Sequence, residues 1–237
     1  MNRPLASFFL KTWSLCGFLI LGGCASGPIP TLTVYETPQS FVRLETDPSL
    51  GQETGHSHPV DISTERMAAA LRGIIVQEPL TRLPLYDDLS IPRRHPAFSE
   101  SEIEFWAPLF RLALSKATPD ELVTFYQSQP LSGMKREVTS GGLFLDGEEL
   151  HVVLSNYRSQ TLSSGDTSSA DTMDDRLTPL RSLAPQKGKL SFEPSEFQRP
   201  ADPISVASLF HWDRRELIIH VNRLPLTPTA SKPTPVR

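Results

Sequence analysis

The sequence contains none of the short motifs that mark the common catalytic and nucleotide-binding sites. It has no Gly-x-Ser-x-Gly elbow, phosphate-binding loop, dinucleotide fingerprint or His-Glu-x-x-His pair. It also lacks an excess of positive charge, because 23 Lys and Arg residues stand against 27 Asp and Glu residues. This balance argues against a general nucleic-acid binder, which needs a basic patch. The sequence alone therefore indicates no catalytic residue and no cofactor.

Acidic residues are missing from the N-terminal part of the chain, where the first is Glu36. Arg3 and Lys11 supply positive charge, and an apolar run follows over residues 12–21. This run is much shorter than the roughly 18 to 20 apolar residues that span a bilayer as a helix. The layout predicts a secretory signal peptide over residues 1–23.

The apolar run ends in the motif Leu21-Gly22-Gly23-Cys24. This motif resembles the lipobox of bacterial lipoproteins, in which Leu, a small residue and Gly or Ala precede an obligatory Cys. The resemblance implies that diacylglycerol is attached to the Cys24 thiol, that the chain is cleaved before Cys24, and that the new amino group is acylated. Two or three acyl chains give a durable membrane anchor, whereas one gives only marginal binding.

The residue after the predicted anchor is Ala25. In Gram-negative lipoproteins, Asp at this position tends to retain the protein in the inner membrane. For a Gram-negative host, the resemblance therefore implies a lipid anchor in the outer membrane and a domain in the periplasm.

Cysteine is scarce, with two residues in 237. Cys16 would leave with the signal peptide, and Cys24 would carry lipid. The mature chain would then have no thiol for a disulfide or for catalysis, so its fold would depend on its core alone. Without Arg3 and Lys11, 21 basic residues remain against 27 acidic ones, which gives a mature charge of −6.

The mature chain divides into three predicted segments. Residues 24–60 show little periodicity and are predicted to be a tether, with a possible short strand over residues 31–35. Residues 61–224 are predicted to form one α+β domain. A disordered insertion is expected within it at about 158–187, where Ser, Thr, Asp and Gly dominate. Residues 225–237 contain four prolines and should be a flexible tail.

Helices are predicted in the first part of this domain. Apolar residues at helical spacing predict a helix over residues 61–78. The capping box Ser99-Glu100-Ser101-Glu102 begins a second helix, which Pro108 should kink or delay. A start signal at residues 118–121 predicts a third helix that ends before Pro130.

The hydrophobic period changes in the second part of the domain. Segments 134–140, 142–145 and 149–156 predict a β-meander, with Asp146-Gly147 in a type I′ turn. Further strands are expected at residues 189–192 and 217–221, and a helix is expected after Asp202. The expected fold is therefore α+β, with N-terminal helices packed on a small antiparallel β-sheet.

One cluster has the composition of a metal site, namely His56, His58 and Asp61. Imidazole and carboxylate groups suit zinc or copper, and a His-x-His pair can offer two nitrogens to one ion. No further ligand is fixed by local spacing, so a polar loop with histidines in water is the alternative.

Two other groups of side chains are candidate site residues. His151 and His220 should point to the second face of the sheet, where they could titrate together near neutral pH. The alternative is that they are two unrelated surface or core histidines. The aromatic residues could line a ligand pocket or simply fill the core: Phe105, Trp106, Phe110, Trp212.

The sequence favours a membrane-anchored envelope lipoprotein with a non-enzymatic interaction or structural role. Its partner would be another envelope protein or the cell wall, and not a nucleic acid. One alternative is a periplasmic hydrolase whose site forms only in three dimensions. Another is a metal-binding lipoprotein that uses His56 and His58.

Overall fold

The computed structural model describes residues 30–50, 55–78, 93–132, 135–162, 175–184, 188–199 and 215–226. The predicted signal peptide, Cys24, the helix expected after Asp202 and the tail beyond residue 226 lie outside these ranges. The elements of the described part are β1 (Pro30–Glu36), β2 (Ser40–Thr46), α1 (Thr64–Arg72), β3 (Ile74–Gln77), β4 (Arg94–Pro96), α2 (Glu100–Leu114), β5 (Glu121–Pro130), β6 (Lys135–Asp146), β7 (Glu149–Leu162), β8 (Lys189–Phe192) and β9 (Glu216–His220), with short 3-10 helices at Ser195–Phe197 and Val221–Arg223.

Two antiparallel sheets organise these elements. The larger has six strands in the order β1-β2-β5-β6-β7-β9, and the smaller has three in the order β4-β3-β8. Helices α1 and α2 pack together and cover one face of the larger sheet. The core between helices and sheet is centred on three aromatic rings: Trp106 stacks on Phe110 at 5.4 Å, and both rings contact Phe125 of β5.

The predicted fold class is wrong, because the helices are not N-terminal and the sheet is not small. The described chain begins with the hairpin β1-β2, which forms two of the six strands in the main sheet. Both strands lie in the segment that was predicted to be a tether, although β1 matches the short strand expected over residues 31–35. Phe41, Val42 and Leu44 of β2 are all buried, since both faces of this strand are covered. Such a strand loses the simple alternation of apolar and polar residues by which a sequence reveals it.

The third predicted helix is strand β5. Its start signal does form a local turn, in which Glu121 N–H donates to the Thr118 carbonyl at 3.0 Å and Thr118 N–H donates to Glu121 Oε2 at 2.8 Å. The chain then becomes extended between β2 and β6. Val, Thr, Phe and Tyr favour strands, and the pairing on both sides outweighs the local helix signal.

The first predicted helix is shorter than expected. It spans Thr64–Arg72 with Ser63 as its N-cap, and the residues after Gly73 form β3. Gly73 lies against β8, where any Cβ would overlap the Phe192 ring, and its carbonyl accepts the Glu193 N–H at 2.8 Å. The β-branched residues that follow Gly73 suit a strand, although their spacing also extends the helical stripe.

The predicted start of α2 is confirmed, and the predicted hairpin after Asp146 is confirmed except for its turn type. The Ser99–Glu102 capping box begins α2, which continues through Pro108 to Leu114. The hairpin between β6 and β7 turns after Asp146, but its central residues are Gly147 and Glu148. Only Gly147 has a positive φ, +59°, which is the pattern of a type II′ turn and not of type I′.

Parts of the predicted disordered insertion contact the sheet. Strand β7 continues to Leu162, and residues 175–184 lie on the sheet face opposite the helices. Asn156 connects them: its Nδ2 donates to the Arg181 carbonyl at 2.7 Å, and its Oδ1 accepts the Leu183 N–H at 2.8 Å. Residues 163–174 and 185–187 lie outside the described ranges.

Candidate functional site

The six-stranded sheet has two ends that differ in their side chains. One end carries Pro30, Thr46, Glu121 and Asp146, and we call it the Pro30 end. The opposite end carries Glu36, Ser40, Pro130 and Lys135, and we call it the Pro130 end. Each end holds one group of candidate site residues.

A polar groove of about 400 Å³ opens at the Pro130 end, on the face that carries the helices. It lies between the first turns of α2 and the ends of β5, β6 and β7. Its lining side chains are Ser99, Ser101, Glu102, Phe105, Gln127, Gln129 and Arg158, and a narrow extension adds Glu137 and Thr139.

The helix side of the groove is held by the capping box of α2. Glu102 Oε2 accepts the Ser99 N–H and the Ser99 hydroxyl, both at 2.8 Å, and Glu102 N–H donates to Ser99 Oγ at 3.3 Å. These bonds fix both side chains at the groove wall. These bonds also use some of the backbone N–H groups at the start of α2. The groove is therefore lined mainly by side chains and less by free backbone N–H groups.

Phe105 is the aromatic member of the groove. It is 39% exposed, although α2 is otherwise rich in buried apolar residues. Its ring makes edge contacts with Tyr35 at 5.3 Å and with Trp106 at 4.8 Å, at interplanar angles of 81° and 73°. Two aromatic neighbours thus orient a ring that stays partly accessible.

Arg158 reaches the groove from an irregular part of β7. The pairing of Val138 with Ser159 and of Ser140 with Asn156 leaves two residues of β7 opposite Thr139 alone, which is a β-bulge. Arg158 has a φ of +46°, the only positive φ of a non-glycine residue in the described ranges. Its N–H donates to Thr139 Oγ1 at 3.2 Å. Bulges commonly redirect a side chain beside a functional site.

The charges in the groove are mixed. Burial raises the pKa of the Glu137 carboxyl, the nearby Arg158 guanidinium lowers it, and Glu102 raises it. Two carboxyl groups therefore share the groove with one guanidinium, which forms no ion pair within the described part of the chain. The groove has no strong net charge of either sign.

The Pro30 end holds the histidine segment, residues 55–60. His56 N–H donates to the Pro119 carbonyl at 2.7 Å, and Ser57 N–H donates to the Leu145 carbonyl at 2.8 Å, so this segment crosses the starts and ends of three strands. His56 Nε2 lies 3.1 Å from Asp47 Oδ2, and its ring packs on Phe144 at 4.2 Å. The His56 side chain is 6% exposed and the Asp47 side chain 2%. The bonds from His56 and Ser49 hold the pKa of Asp47 at about 2, against the opposing effect of burial.

His58 is buried beside His56. Its Nε2 accepts the Leu145 N–H at 2.9 Å, so the neutral ring carries its proton on Nδ1. Nδ1 is buried and has no hydrogen-bond partner among the described residues. Burial, and then the neighbouring His56, lower the pKa of His58 to about 4.

The three predicted metal ligands are not brought together. His56 pairs with Asp47, His58 accepts a backbone N–H, and Asp61 forms an ion pair with Arg111 at 2.8 Å. In the ranges that the structure describes, no three His, Cys, Asp or Glu side chains are arranged to hold one metal ion. Metal binding by His56 and His58 stays a prediction that these contacts do not support.

His151 and His220 lie on neighbouring strands, β7 and β9, and the register puts them on the same face. Each has its own carboxylate. His151 Nδ1 lies 2.7 Å from Glu216 Oε1, and His220 Nδ1 lies 3.5 Å from Glu149 Oε1. The His151 ring also stacks on Phe144 at 4.5 Å. These contacts make two separate pairs and not one shared site.

Among the groove residues, sequence reasoning named Phe105 alone as a candidate site residue, and it named Ser99, Ser101 and Glu102 only as a helix cap. Gln127 and Gln129 were missed because they were placed on a helix. As part of a strand, their spacing of two puts both on one face, directly after buried Phe125. Arg158 was missed because nothing local marks its bulge.

Neither α-helix in the described part of the chain is long and apolar enough to cross a bilayer. Comparison with known proteins gave no match: no protein-family model, no curated protein and no solved structure matches this chain.

Proposed function

We propose that the protein is a lipid-anchored envelope lipoprotein whose domain binds a polar ligand in the groove at the Pro130 end. The anchor is Cys24 of the lipobox, and the membrane is the outer membrane of a Gram-negative cell. The proposal rests on one observation, namely that the N-terminal end of β1 and the groove lie at opposite ends of the main sheet. Pro30, the first described residue after Cys24, lies at one end of the main sheet, and the groove lies at the other.

The distance from anchor to domain is short. Five residues separate Cys24 from Pro30, so even a fully extended chain would span no more than about 20 Å. The Pro30 end would therefore stay close to the lipid surface. Strand β5 runs eight residues from Glu121 at that end to Gln129 in the groove, a rise of about 26 Å. A domain standing upright on its anchor would hold the groove away from the membrane, towards the periplasm and the cell wall.

The groove suits binding better than a purely structural role. Its volume of about 400 Å³ falls within the usual range for small-molecule sites, about 300–1,000 Å³. The capping box holds Ser99 and Glu102 in place, ring contacts orient Phe105, and the bulge fixes the backbone of Arg158. Fixed polar groups that face solvent can bind a ligand without first being ordered.

A hydrolase is the second candidate, and one observation favours it. Glu102 and Glu137 both border the narrow extension of the groove, and burial raises the pKa of Glu137. A carboxyl group with a raised pKa, beside a second carboxyl group in one cleft, is an arrangement used in general acid–base catalysis. Release of products from a groove-bound substrate, abolished in both Glu102→Gln and Glu137→Gln, would favour hydrolysis over binding alone.

The anchor is tested by mass spectrometry of the mature N-terminus from membrane fractions. An acylated Cys24 peptide is expected in the wild type, and the Cys24→Ser protein should leave the membrane fraction. An unmodified N-terminus that still carries Met1 would overturn the proposal.

The orientation is tested with a photoreactive residue at position 101 in the groove and, as a control, at position 116 just after α2. Illumination of living cells should crosslink position 101 to cell-wall or periplasmic material and position 116 to material at the membrane. The reverse pattern would contradict the placement of the groove.

A further inference from the structure

We infer that the ligand of the polar groove is a neutral, polyhydroxylated glycan, an inference that rests on the binding role proposed above. Three properties of the lining residues support this inference: their charge, their hydrogen-bonding groups and one exposed aromatic ring.

Charge argues against an ionic ligand. Arg158 is the single cation of the groove, and Glu102 and Glu137 stand near it. A polyanion would meet two carboxyl groups, and a polycation would meet a guanidinium. A neutral ligand meets neither repulsion and can still use all three groups as hydrogen-bond donors or acceptors.

The hydrogen-bonding groups fit hydroxyl groups. Gln127 and Gln129 each offer a donor and an acceptor, and the hydroxyls of Ser101 and Thr139 offer both as well. A sugar ring carries a series of hydroxyl groups that also donate and accept. An apolar ligand of the same size would displace water from these side chains and leave most of them without hydrogen-bond partners, which disfavours its binding.

Phe105 supplies the surface that a sugar needs besides hydrogen bonds. A pyranose ring has an apolar face of C–H groups, which packs on an aromatic ring. Phe105 is exposed at the groove and is oriented by Tyr35 and Trp106. An aromatic ring offers large contact area with little loss of side-chain freedom on binding.

A peptide strand fits less well. Extended peptides usually bind by pairing with the edge of a sheet. Strand β6, which carries Glu137 and Thr139, pairs with β5 on one side and with β7 on the other along its groove part. The part of the groove that β6 forms therefore offers side chains and no strand edge.

The test is isothermal titration calorimetry with the full mature lipoprotein in detergent micelles. The probes are tetra-N-acetylchitotetraose, cellotetraose and tetraglutamate, which separate N-acetylated sugars, other neutral sugars and an acidic peptide. We expect saturable binding of at least one tetrasaccharide and none of tetraglutamate. A preference for the N-acetylated sugar would point to the cell-wall glycan, and equal binding to neutral glycans in general.

Matched variants show whether the groove is the site. Phe105→Ala should weaken tetrasaccharide binding at least tenfold, whereas Leu112→Ala, which removes a side chain of the same helix that is 38% exposed, should change it less than twofold. The double change Gln127→Ala and Gln129→Ala should also abolish binding, and Gln77→Ala in the smaller sheet should not. Thermal unfolding by circular dichroism checks that each variant is folded.

The outcomes separate this inference from the proposed function. If no tetrasaccharide binds, or if Phe105→Ala and Leu112→Ala bind equally, the glycan inference is wrong. If position 101 still crosslinks to periplasmic material in that case, the binding role stands with a different ligand. If position 101 gives no such crosslink either, both proposals are overturned.

Discussion

The two ends of the six-stranded sheet differ in how far their polar side chains are buried and bonded to one another. At the Pro30 end, His56 and Asp47 are almost fully buried and bonded to each other. At the Pro130 end, the side chains of the groove face solvent, and Arg158 has no carboxylate bonded to it among the described residues.

Because of this difference, we expect the polar side chains of the Pro30 end to contribute to stability and those of the groove to contribute to binding. A buried polar group without a partner destabilises a fold, so buried groups are nearly always bonded, as His56 and Asp47 are to each other. An exposed polar group loses little by staying unpaired, and it can instead bond to a ligand. We therefore expect changes at the Pro30 end to alter the free energy of unfolding, and changes at the groove to alter binding.

Asp47→Ala should give the largest loss of stability. It leaves His56 buried without its partner and removes the acceptor of the Ser49 N–H and hydroxyl, at 2.8 and 2.6 Å. Breaking such a buried pair should cost about 4 kcal/mol, measured by urea unfolding. His220→Ala is the control, because its side chain is 28% exposed, and it should cost less than about 1 kcal/mol. Equal losses in the two variants would contradict the contrast between buried and exposed pairs.

Glu45→Gln should change how stability depends on pH. Glu45 is 2% exposed, and burial raises its pKa from 4.5 to about 7. Its neutral form is favoured in the fold, so the wild type should lose roughly 3 kcal/mol of stability as pH rises from 4.5 through 7. Glutamine stays neutral, so the variant should match the wild type at pH 4 and exceed it at pH 8. The exposed turn residue Glu148, changed to Gln, should show no such difference.

His58→Gln should act in the opposite direction. The pKa of His58 is lowered from 6.5 to about 4, so the folded protein resists protonation, and stability falls as pH drops from 6.5 through 4. A glutamine oxygen can still accept the Leu145 N–H but takes up no proton. The comparison is made in a Glu45→Gln background. There, the loss of unfolding free energy between pH 6.5 and pH 4 should be smaller by roughly 2–3 kcal/mol in His58→Gln than in the protein that keeps His58. An unchanged slope would show that His58 does not cause the acid sensitivity.

Arg158→Gly should have the smallest effect on stability and a clear effect on binding. Glycine tolerates a φ of +46°, so this variant should be more stable by up to about 1 kcal/mol. Arg158→Ala keeps the conformational cost and should lie within about 0.5 kcal/mol of the wild type. Both variants lose the guanidinium and should weaken tetrasaccharide binding. A loss of stability in Arg158→Gly would show that the bulge is not strained.

Short sequence patterns correctly predicted the parts of the fold that depend only on residues close together in the sequence. The capping box at Ser99 and Glu102 and the turn after Asp146 are complete within a few residues, so the sequence shows them directly. The start signal at Thr118 was equally local and formed its turn, but the following strand is determined by β2 and β6. These partners are distant in sequence, so no local pattern could reveal them.

The groove was less predictable than the fold for the same reason. Phe105 was noticed as an aromatic residue, but its exposure depends on how α2 rests on the sheet. Gln127 and Gln129 reach the groove only because β5 is a strand, and Arg158 only because β7 contains a bulge. The histidine segment shows the opposite error, in which a local pattern suggested a site that the structure does not form. The spacing of His56 and His58 suggested metal ligands, but the structure pairs His56 with Asp47 and His58 with the Leu145 N–H.

The position of β1 at the edge of the main sheet has a mechanical consequence. This strand is the first described element after the proposed lipid anchor, and within the sheet it pairs with β2 alone. A load between Cys24 and a ligand held at the Pro130 end would act along the strands. The hydrogen bonds between β1 and β2 would then be sheared together and not unzipped one at a time. Such an arrangement resists force well, which would suit the proposed role of a protein held between a membrane and a wall that move relative to each other.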